Sequence, residues 1–204
     1  MQKPIEDIDA VVNHFLNNQD RQSEVLTFSG EMDSCNLLDN DSVIIILEGH
    51  LNLERTSDGI VIASLSGKNV IKLFHVEIYK HLRLTGDSSF SYLQYRREDF
   101  YNGIERHCLW KNLYHIMAYA SMLIYSRMNM LMNCSVYDMV KYYLYKIESS
   151  TELKLKENIC TYIILRTGYS RSAVMTVLNE LKKGAYIEIN RGKLKKINFL
   201  PVKF

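Results

Sequence analysis

The sequence lacks the closely spaced cysteines that would mark a metal or iron–sulfur centre. Its 204 residues include four cysteines, Cys35, Cys108, Cys134 and Cys160, and no two of them form a CxxC pair. Zinc-finger and iron–sulfur spacings are therefore absent, and no metal or other cofactor is predicted. We expect reduced, buried thiols. A redox sensor would need an exposed thiol of low pKa, and Cys108 or Cys134 would be the candidates near a predicted long helix.

An uncharged hydrophobic run long enough to cross a membrane is also missing. The most apolar stretch, residues 109–132, contains Lys111, His115 and Arg127 and is too polar for a membrane span. Residues 1–7 are acidic and contain no apolar run, so no signal peptide is predicted. We therefore expect the protein to act in the cytoplasm.

The signatures of enzymes are absent as well. The sequence has no nucleophile motif, no metal motif and no Gly-rich phosphate loop. Its six histidines show no metal or haem spacing and are expected to be structural or exposed. With 47% hydrophobic and 24% charged residues, the composition is that of a globular protein. We do not expect an enzyme.

Charge is distributed unevenly along the chain. Residues 151–204 contain 11 Lys or Arg against 4 Asp or Glu, a net charge of +7, whereas residues 1–150 contain 14 against 19, a net charge of −5. A basic segment beside an acidic one is typical of proteins that bind nucleic acid. The alternative, a merely solvated basic surface, is weakened by the motif that occupies the same segment.

The first half of the chain is predicted to form one helix followed by short strands. The helix ends near Asn17 and is indicated by the spacing of Ile5, Ile8, Val11, Val12 and Phe15. From residue 25 the pattern changes to β-like runs at 43–47, 51–54, 60–65, 70–73 and 90–95, with a turn at 56–59. Short strands at regular spacing predict a small antiparallel barrel or sandwich.

A long helix is predicted over residues 104–132, where neither Gly nor Pro occurs. Its apolar residues form two adjacent stripes. One stripe can pack on the chain's own β domain and the other on a partner helix, or both can face the chain's own core. The first stripe contains Leu109, Leu113, Ile116, Ala120 and Leu123, and the second contains Trp110, Tyr114, Met117, Ser121, Ile124, Met128 and Leu131.

The long helix is expected to end at residues 133–135, with Ser135 as the cap of the next helix. That helix is predicted over residues 136–147. Residues 148–152 are interpreted as a link to the basic domain.

The last third of the chain is predicted to be a winged helix-turn-helix. Residues 156–184 give a helix, a short turn and a second helix, and residues 187–197 give a small hairpin. Ser170 is suited to cap the second helix, and Gly184 to end it with a positive φ. Residues 190–193 are suited to the hairpin tip. The core face of the second helix is predicted to contain Val174, Val177, Leu178 and Leu181.

The opposite face of this helix and the hairpin are predicted to bind double-stranded DNA. Arg171 is the candidate for a bidentate contact with guanine, and a surface salt bridge is the alternative for this side chain. Arg191 and the hairpin lysines, Lys196 among them, are expected near phosphates. The predicted DNA-binding residues are Ser170, Arg171, Ser172, Met175, Thr176, Asn179, Arg191, Lys193 and Lys195.

The order of these elements resembles the Crp/Fnr family of bacterial transcription regulators. Residues 41–49 look like the strand-and-glycine segment of the family's effector-binding barrel, and residues 92–100 look like its closing strand. Residues 170–178 look like the start of the recognition helix. The stretch 170–201 is also similar to a narrower group of Crp-like regulators, the inhibitor of hydrogen peroxide resistance group.

The resemblance implies an α+β fold in three parts. These are a cupin-like antiparallel β-barrel related to cyclic-nucleotide-binding domains at residues 1–103, a dimerisation helix at 104–134 and a winged helix-turn-helix at 135–204. It further implies a homodimer on a palindromic operator, RNA polymerase as a further partner, and a role in oxidative-stress gene control. The function classes left open beside it are a small-ligand sensor acting through the barrel and a winged-helix protein–protein adaptor.

Departures from the family pattern change which effector and which operator are expected. Between residues 67 and 94 there is no Gly-Glu pair and no Arg-Ala pair, which the family's phosphate-binding cassette uses to clamp a cyclic nucleotide. Cyclic AMP is therefore not expected as the effector. Ser172 and Thr176 stand where the family often has Glu and Arg. A different operator from the usual one is expected.

Overall fold

The computed structural model describes residues 2–17, 24–28, 41–73, 77–86 and 89–202. The chain divides into two compact units, residues 1–124 and 125–204. The division falls inside one long helix, and each unit contains its own hydrophobic core.

The first unit begins with helix α1, Ile5–Asn17, where the apolar spacing predicted it. Acidic residues in its first turn and His14 in its last turn suit the two ends of the helix dipole. The hydroxyl of Tyr95 donates a 2.8 Å hydrogen bond to the carbonyl of Phe15 and ties the helix to the sheet. The buried face consists of Ile8, Val11, Val12 and Phe15.

Seven strands lie within the described residues of the first unit and form two antiparallel sheets. One sheet has the order β1-β7-β2-β5 and the other the order β4-β3-β6. This confirms the predicted α+β class with a cupin-like antiparallel β domain, although the described strands form two sheets rather than one closed cylinder. The strands are β1 (Leu26–Phe28), β2 (Ser42–Glu48), β3 (His50–Arg55), β4 (Val61–Ser66), β5 (Asn69–Ile71), β6 (Leu82–Thr85) and β7 (Phe90–Arg96), and a 3-10 helix, Glu77–His81, precedes β6.

Strand β2 explains why residues 43–47 are hydrophobic without alternation. Successive side chains of a strand point to opposite faces of the sheet. Val43 and Ile45 join a core cluster with α1, whereas Ile44 and Ile46 join a second cluster with residues of β3, β6 and β7. Because both faces of β2 are covered, both sets of side chains are buried.

The predicted helix from residue 104 onward is interrupted in the structure. Helix α2, Arg97–Arg106, ends before Cys108, which has a φ of 55°, and helix α3, Trp110–Asn133, begins two residues later. The N–H of Leu109 donates a 2.9 Å hydrogen bond to the carbonyl of Ile104 across this joint. The prediction of one continuous helix was wrong here, because a left-handed residue other than Gly or Asn gives no signal in the sequence.

The described residues of the second unit contain the end of α3, four further helices and a hairpin. Helix α4 begins with the predicted cap, since Ser135 and Asp138 form a reciprocal capping box. The short helix α5 was not predicted; it occupies part of the segment interpreted as a link. The elements are α4 (Val136–Glu148), α5 (Thr151–Lys156), α6 (Ile159–Thr167), α7 (Arg171–Lys183), β8 (Ile187–Asn190) and β9 (Lys193–Ile197).

Within the described segments, none of the helices combines the length and the hydropathy that a lipid bilayer span requires.

Candidate nucleic-acid interface

Helices α6 and α7 form the predicted helix-turn-helix. The side chain of Asn158 caps α6 by accepting a 3.2 Å hydrogen bond from the N–H of Thr161. Gly168 ends α6 in the left-handed region with a φ of 73°, a conformation that glycine adopts without steric cost. Only three residues, 168–170, separate the two helices.

Ser170 starts α7 as predicted. Its hydroxyl accepts a 3.2 Å hydrogen bond from the N–H of Ala173. The side chains of Val174, Leu178 and Leu181 are buried, and Val177 is half-buried against the same core. The helix is therefore anchored along one face, and its first turn is held by a cap.

The face of α7 opposite the core presents most of the predicted DNA-binding side chains. Arg171, Ser172, Thr176 and Asn179 are exposed. The hydroxyl of Thr176 donates a 2.9 Å hydrogen bond to the carbonyl of Ser172. Met175 is half-buried and packs against the core, so only part of its side chain reaches the surface.

The end of α7 differs from the prediction for Gly184. Gly184 has a φ of −76°, and the left-handed residue is Ala185, with a φ of 57°. The N–H of Tyr186 bonds to the carbonyl of Leu181 at 2.9 Å, and the N–H of Ala185 bonds to that of Lys182 at 3.1 Å, which is the Schellman pattern. Glycine is needed at 184 for space, because a Cβ there would lie 2.3 Å from the Tyr186 ring.

Strands β8 and β9 form the predicted wing. Asn190 pairs with Lys193 across a two-residue turn in which Arg191 and Gly192 both have positive φ, 49° and 78°. This is a type I′ hairpin turn, whose twist matches that of the strands. The tip also contacts α6, since the N–H of Ile159 donates a 2.9 Å hydrogen bond to the carbonyl of Gly192.

Helix α5 is joined to the wing by hydrogen bonds from two lysine side chains. The ammonium of Lys193 donates to the carbonyl of Leu155. The ammonium of Lys154 lies 2.8 Å from Glu148 and also donates to the carbonyl of Lys195 at 3.4 Å. Lys193 is thus held by α5, whereas the side chains of Arg191, Lys195 and Lys196 are exposed with no such contact in the described structure.

A groove of about 230 Å3 runs between α7, the wing tip and the start of α6. Arg171 and Asn179 line it, together with Lys182 and Asn158, which the sequence analysis did not single out. Lys182 was missed because it stands at the end of α7, where basic residues are expected for helix-dipole reasons alone. The groove brings two cations and two amides together beside α7.

The described cysteines differ in burial, although buried thiols were expected. Cys160 is buried beneath the groove, and burial raises its pKa while the nearby Arg171 opposes the shift. A raised pKa keeps this thiol protonated and unreactive. Cys108 is exposed and Cys134 is half-buried, while Cys35 lies outside the described residues.

Comparisons with known proteins agree with this geometry. Residues 136–202 match the winged helix-turn-helix DNA-binding family. The chain is 27% identical over 170 residues to the protein named inhibitor of hydrogen peroxide resistance from Escherichia coli K12, covering 82% of each chain.

Solved structures show the same fold at low identity. The c-di-GMP-responsive global regulator CLP of Xanthomonas campestris gives a TM-score of 0.67 at 13% identity, over 94% of this chain and 99% of that one. A regulator of the Crp/Fnr family from Eubacterium rectale gives a TM-score of 0.64 at 14% identity, over 93% of this chain and 90% of that one.

The chain therefore contains a winged helix-turn-helix at residues 136–202, and its fold is similar to that of a solved Crp/Fnr-family structure. Among curated proteins, its sequence is similar to the inhibitor of hydrogen peroxide resistance, which confirms the resemblance inferred from residues 170–201.

Proposed function

We propose that this chain is a sequence-specific DNA-binding transcription regulator. One observation carries the proposal: a capped helix with an exposed polar face lies beside a basic wing in one folded unit. The first residues of such a helix can reach base edges in the major groove, while wing cations contact phosphates. Arg171 and Asn179 are the base-reading candidates, because Arg pairs with guanine and Asn with adenine in bidentate fashion.

The regulator is proposed to act as a homodimer through α3. The second apolar stripe of this helix is largely exposed: Ile124 is 64% and Tyr114 67% accessible. This favours a partner helix over the alternative that both stripes face the chain's own core. A two-fold pair would place two recognition helices about 34 Å apart and would select a palindromic site.

The experiment that tests DNA binding is selection of genomic fragments by the purified chain at two salt concentrations, followed by sequencing. The expected result is a palindrome whose half-sites lie one helical turn apart, with affinity that falls as salt rises. Retention that salt abolishes and that yields no shared sequence would contradict the proposal, and would favour the adaptor or ligand-sensor function instead.

The biological role proposed is control of peroxide-resistance genes without cyclic AMP. The name of the Escherichia coli relative supports the first part, and the missing Gly-Glu and Arg-Ala pairs support the second. A regulator of this kind would act in the cytoplasm and influence RNA polymerase at its promoters. Transcript levels in a deletion strain exposed to hydrogen peroxide test the role, and calorimetry with cyclic AMP, expected to show no heat of binding, tests the effector.

A further inference from the structure

The wing is joined to α5 by side chains that reach in both directions. The ammonium of Lys193, in β9, donates to the carbonyl of Leu155 in α5. The ammonium of Lys154, in α5, donates a 3.4 Å hydrogen bond to the carbonyl of Lys195 in β9. We call these four residues the α5–wing contact. Because each element supplies one donor and one acceptor, a movement of the wing relative to α5 breaks both hydrogen bonds.

Glu148 holds the side chain of Lys154 in position. It is the last residue of α4, and its carboxylate lies 2.8 Å from the Lys154 ammonium. The side chains of Glu148 and Lys154 are only 32% and 25% accessible, so water and salt screen this ion pair less than an exposed one. Helix α4 is itself anchored, since Tyr143, Leu144 and Ile147 are buried in the core of the second unit. The ion pair therefore connects the wing to that core through α5.

Burial gives little reason for α5 to form a helix. It has six residues, and none of its side chains is buried within the described structure. Leu153 packs on the core only in part, and Leu155 is 67% accessible. A helix this short is not stable in water by itself. The cap at Ser150, the ion pair with α4 and the hydrogen bonds to β9 therefore hold it in place.

The α5–wing contact holds the strand that contains most of the free wing cations. Of the exposed side chains Arg191, Lys195 and Lys196, the last two belong to β9. A two-stranded hairpin is at best marginally stable by itself, so contacts outside the hairpin decide how freely it moves. A wing that moved freely would lose conformational entropy on binding DNA, and that loss would weaken binding.

We propose that α5 positions the wing for DNA, and that Lys154 raises DNA affinity through the wing without touching DNA. This rests on the regulator function proposed above. Both ammonium groups of the α5–wing contact donate to main-chain carbonyls. Lys193 also belongs to the wing, so its replacement would remove a charge near DNA as well as a contact. Lys154 lies outside the wing, and its replacement isolates the positioning effect.

The first test measures amide hydrogen exchange of the full chain without DNA. Lys154→Met removes the ammonium and keeps a side chain that favours a helix. Exchange of the β9 amides should become about tenfold faster, since loss of one charged hydrogen bond makes local opening easier. The α7 amides should exchange as in the wild type. Lys146→Met, an equal loss of charge from an exposed position of α4, should leave the wing unchanged. Unchanged β9 exchange in Lys154→Met, or equal acceleration of β9 and α7, overturns the proposal.

The second test measures affinity for the DNA fragments that the wild type selects. Lys154→Met should bind them about tenfold more weakly, and Lys146→Met should keep wild-type affinity. Glu148→Met gives the decisive sign. Removal of a carboxylate makes the chain more positive, which by itself raises DNA affinity. Because the same change releases Lys154, affinity is expected to fall instead, and a rise overturns the proposal.

A double-mutant cycle separates an effect through the wing from a direct contact with DNA. Arg191→Gln combined with Lys196→Gln removes two wing charges. In that background Lys154→Met should reduce affinity little further, because the contacts through which it acts are already lost. If the two losses multiply in full, Lys154 acts on DNA directly and the proposal is wrong. Since the exchange test contains no DNA, failure of the α5–wing contact is distinguishable from failure of the regulator function.

Discussion

At the scale of single residues, the exposed face of α7 carries two kinds of side chain. Some form contacts within the helix, and others form no hydrogen bond and line the neighbouring groove. The hydroxyl of Thr176 is used within the helix, and those of Ser170 and Ser172 lie 3.0 Å from each other. The side chains of Arg171 and Asn179 make no hydrogen bond within the described residues and line the groove beside the wing. The long side chains, rather than the hydroxyls, are therefore available to reach a base.

Arg171→Ala is expected to relax base preference at one position of the operator. A bidentate contact with guanine is worth about 1–3 kcal/mol of discrimination, and alanine removes it without disturbing the Ser170 cap. Selection from randomised half-sites before and after the substitution measures this. Lys183→Ala is the control, since Lys183 is exposed and held by Glu180 at 2.9 Å. An unchanged preference at every position would mean that Arg171 does not read a base.

His14→Gln is expected to reduce the acid sensitivity of the fold. Burial, followed by the charge of His107, lowers the pKa of His14, and the two rings are tilted by 43° with centroids 4.0 Å apart. The unfolded chain therefore binds a proton at a higher pH, about 6.5, than the folded chain does. The contribution of His14 to stability is fully present above that pH, and it is lost as the pH falls toward the lower folded pKa.

Urea denaturation at several pH values between about 7 and 5 measures this dependence. The free energy of unfolding should fall less steeply in His14→Gln than in the wild type. His50→Gln, a change of an exposed histidine in β3, is the matched control and should keep the wild-type slope. Equal slopes for His14→Gln and the wild type would rule out this histidine as the source of the pH dependence.

At the scale of elements, the predictions from sequence were most accurate where a local sequence signal coincides with a face that packs against the core. The cap at Ser170, the apolar spacing of α7 and the two-residue turn before Lys193 each have a specific chemical reason, and each is present in the structure. Two features had no local signal. The break at Cys108 depends on a left-handed non-glycine residue, and α5 is a six-residue helix with no buried side chain.

The end of α7 shows how a correct residue can be predicted for a wrong reason. Glycine after a helix favours a left-handed conformation, and the prediction assigned that role to Gly184. In the structure Ala185 takes it, and Gly184 instead makes room for the ring of Tyr186. A sequence cannot distinguish these two needs, because the second depends on where an aromatic ring packs.

A matched pair of substitutions tests this assignment. Ala185→Gly is expected to raise the free energy of unfolding by about 1 kcal/mol, since it relieves a left-handed alanine. Gly184→Ala is expected to lower it by about 1–3 kcal/mol, because the added methyl overlaps the Tyr186 ring. Chemical denaturation measures both. Stabilisation by Gly184→Ala, the usual result of replacing an exposed helical glycine, would contradict the packing role.

At the scale of the whole molecule, α3 is the helix whose apolar side chains are only partly buried within one chain. Leu113 and Ile116 of its first stripe are buried in the first unit, and Met130 and Leu131 pack on the core of the second. The second stripe of the helix remains exposed at Trp110, Tyr114, Ile124 and Met128. Exposed apolar side chains on one face mark interaction sites, and a helix seam suits a second copy of the same helix.

Ile124→Glu is therefore expected to convert the proposed dimer into a monomer. Burying an isoleucine side chain contributes about 1.5–3 kcal/mol, and a two-fold interface contains each position twice. Two buried carboxylates in a seam add a desolvation cost. Sedimentation velocity should show the loss of the dimer, and affinity for a full palindrome should fall toward that for one half-site.

Ser126→Glu provides the control for charge and helix propensity. Ser126 is exposed and lies about 200° around the helix from Ile124, since each residue turns an α-helix by about 100°. It should remain dimeric and keep full-site affinity. If Ile124→Glu sediments as the wild type does, the exposed stripe is not the interface. If both variants become monomers, added charge on α3, rather than loss of the seam, is the cause.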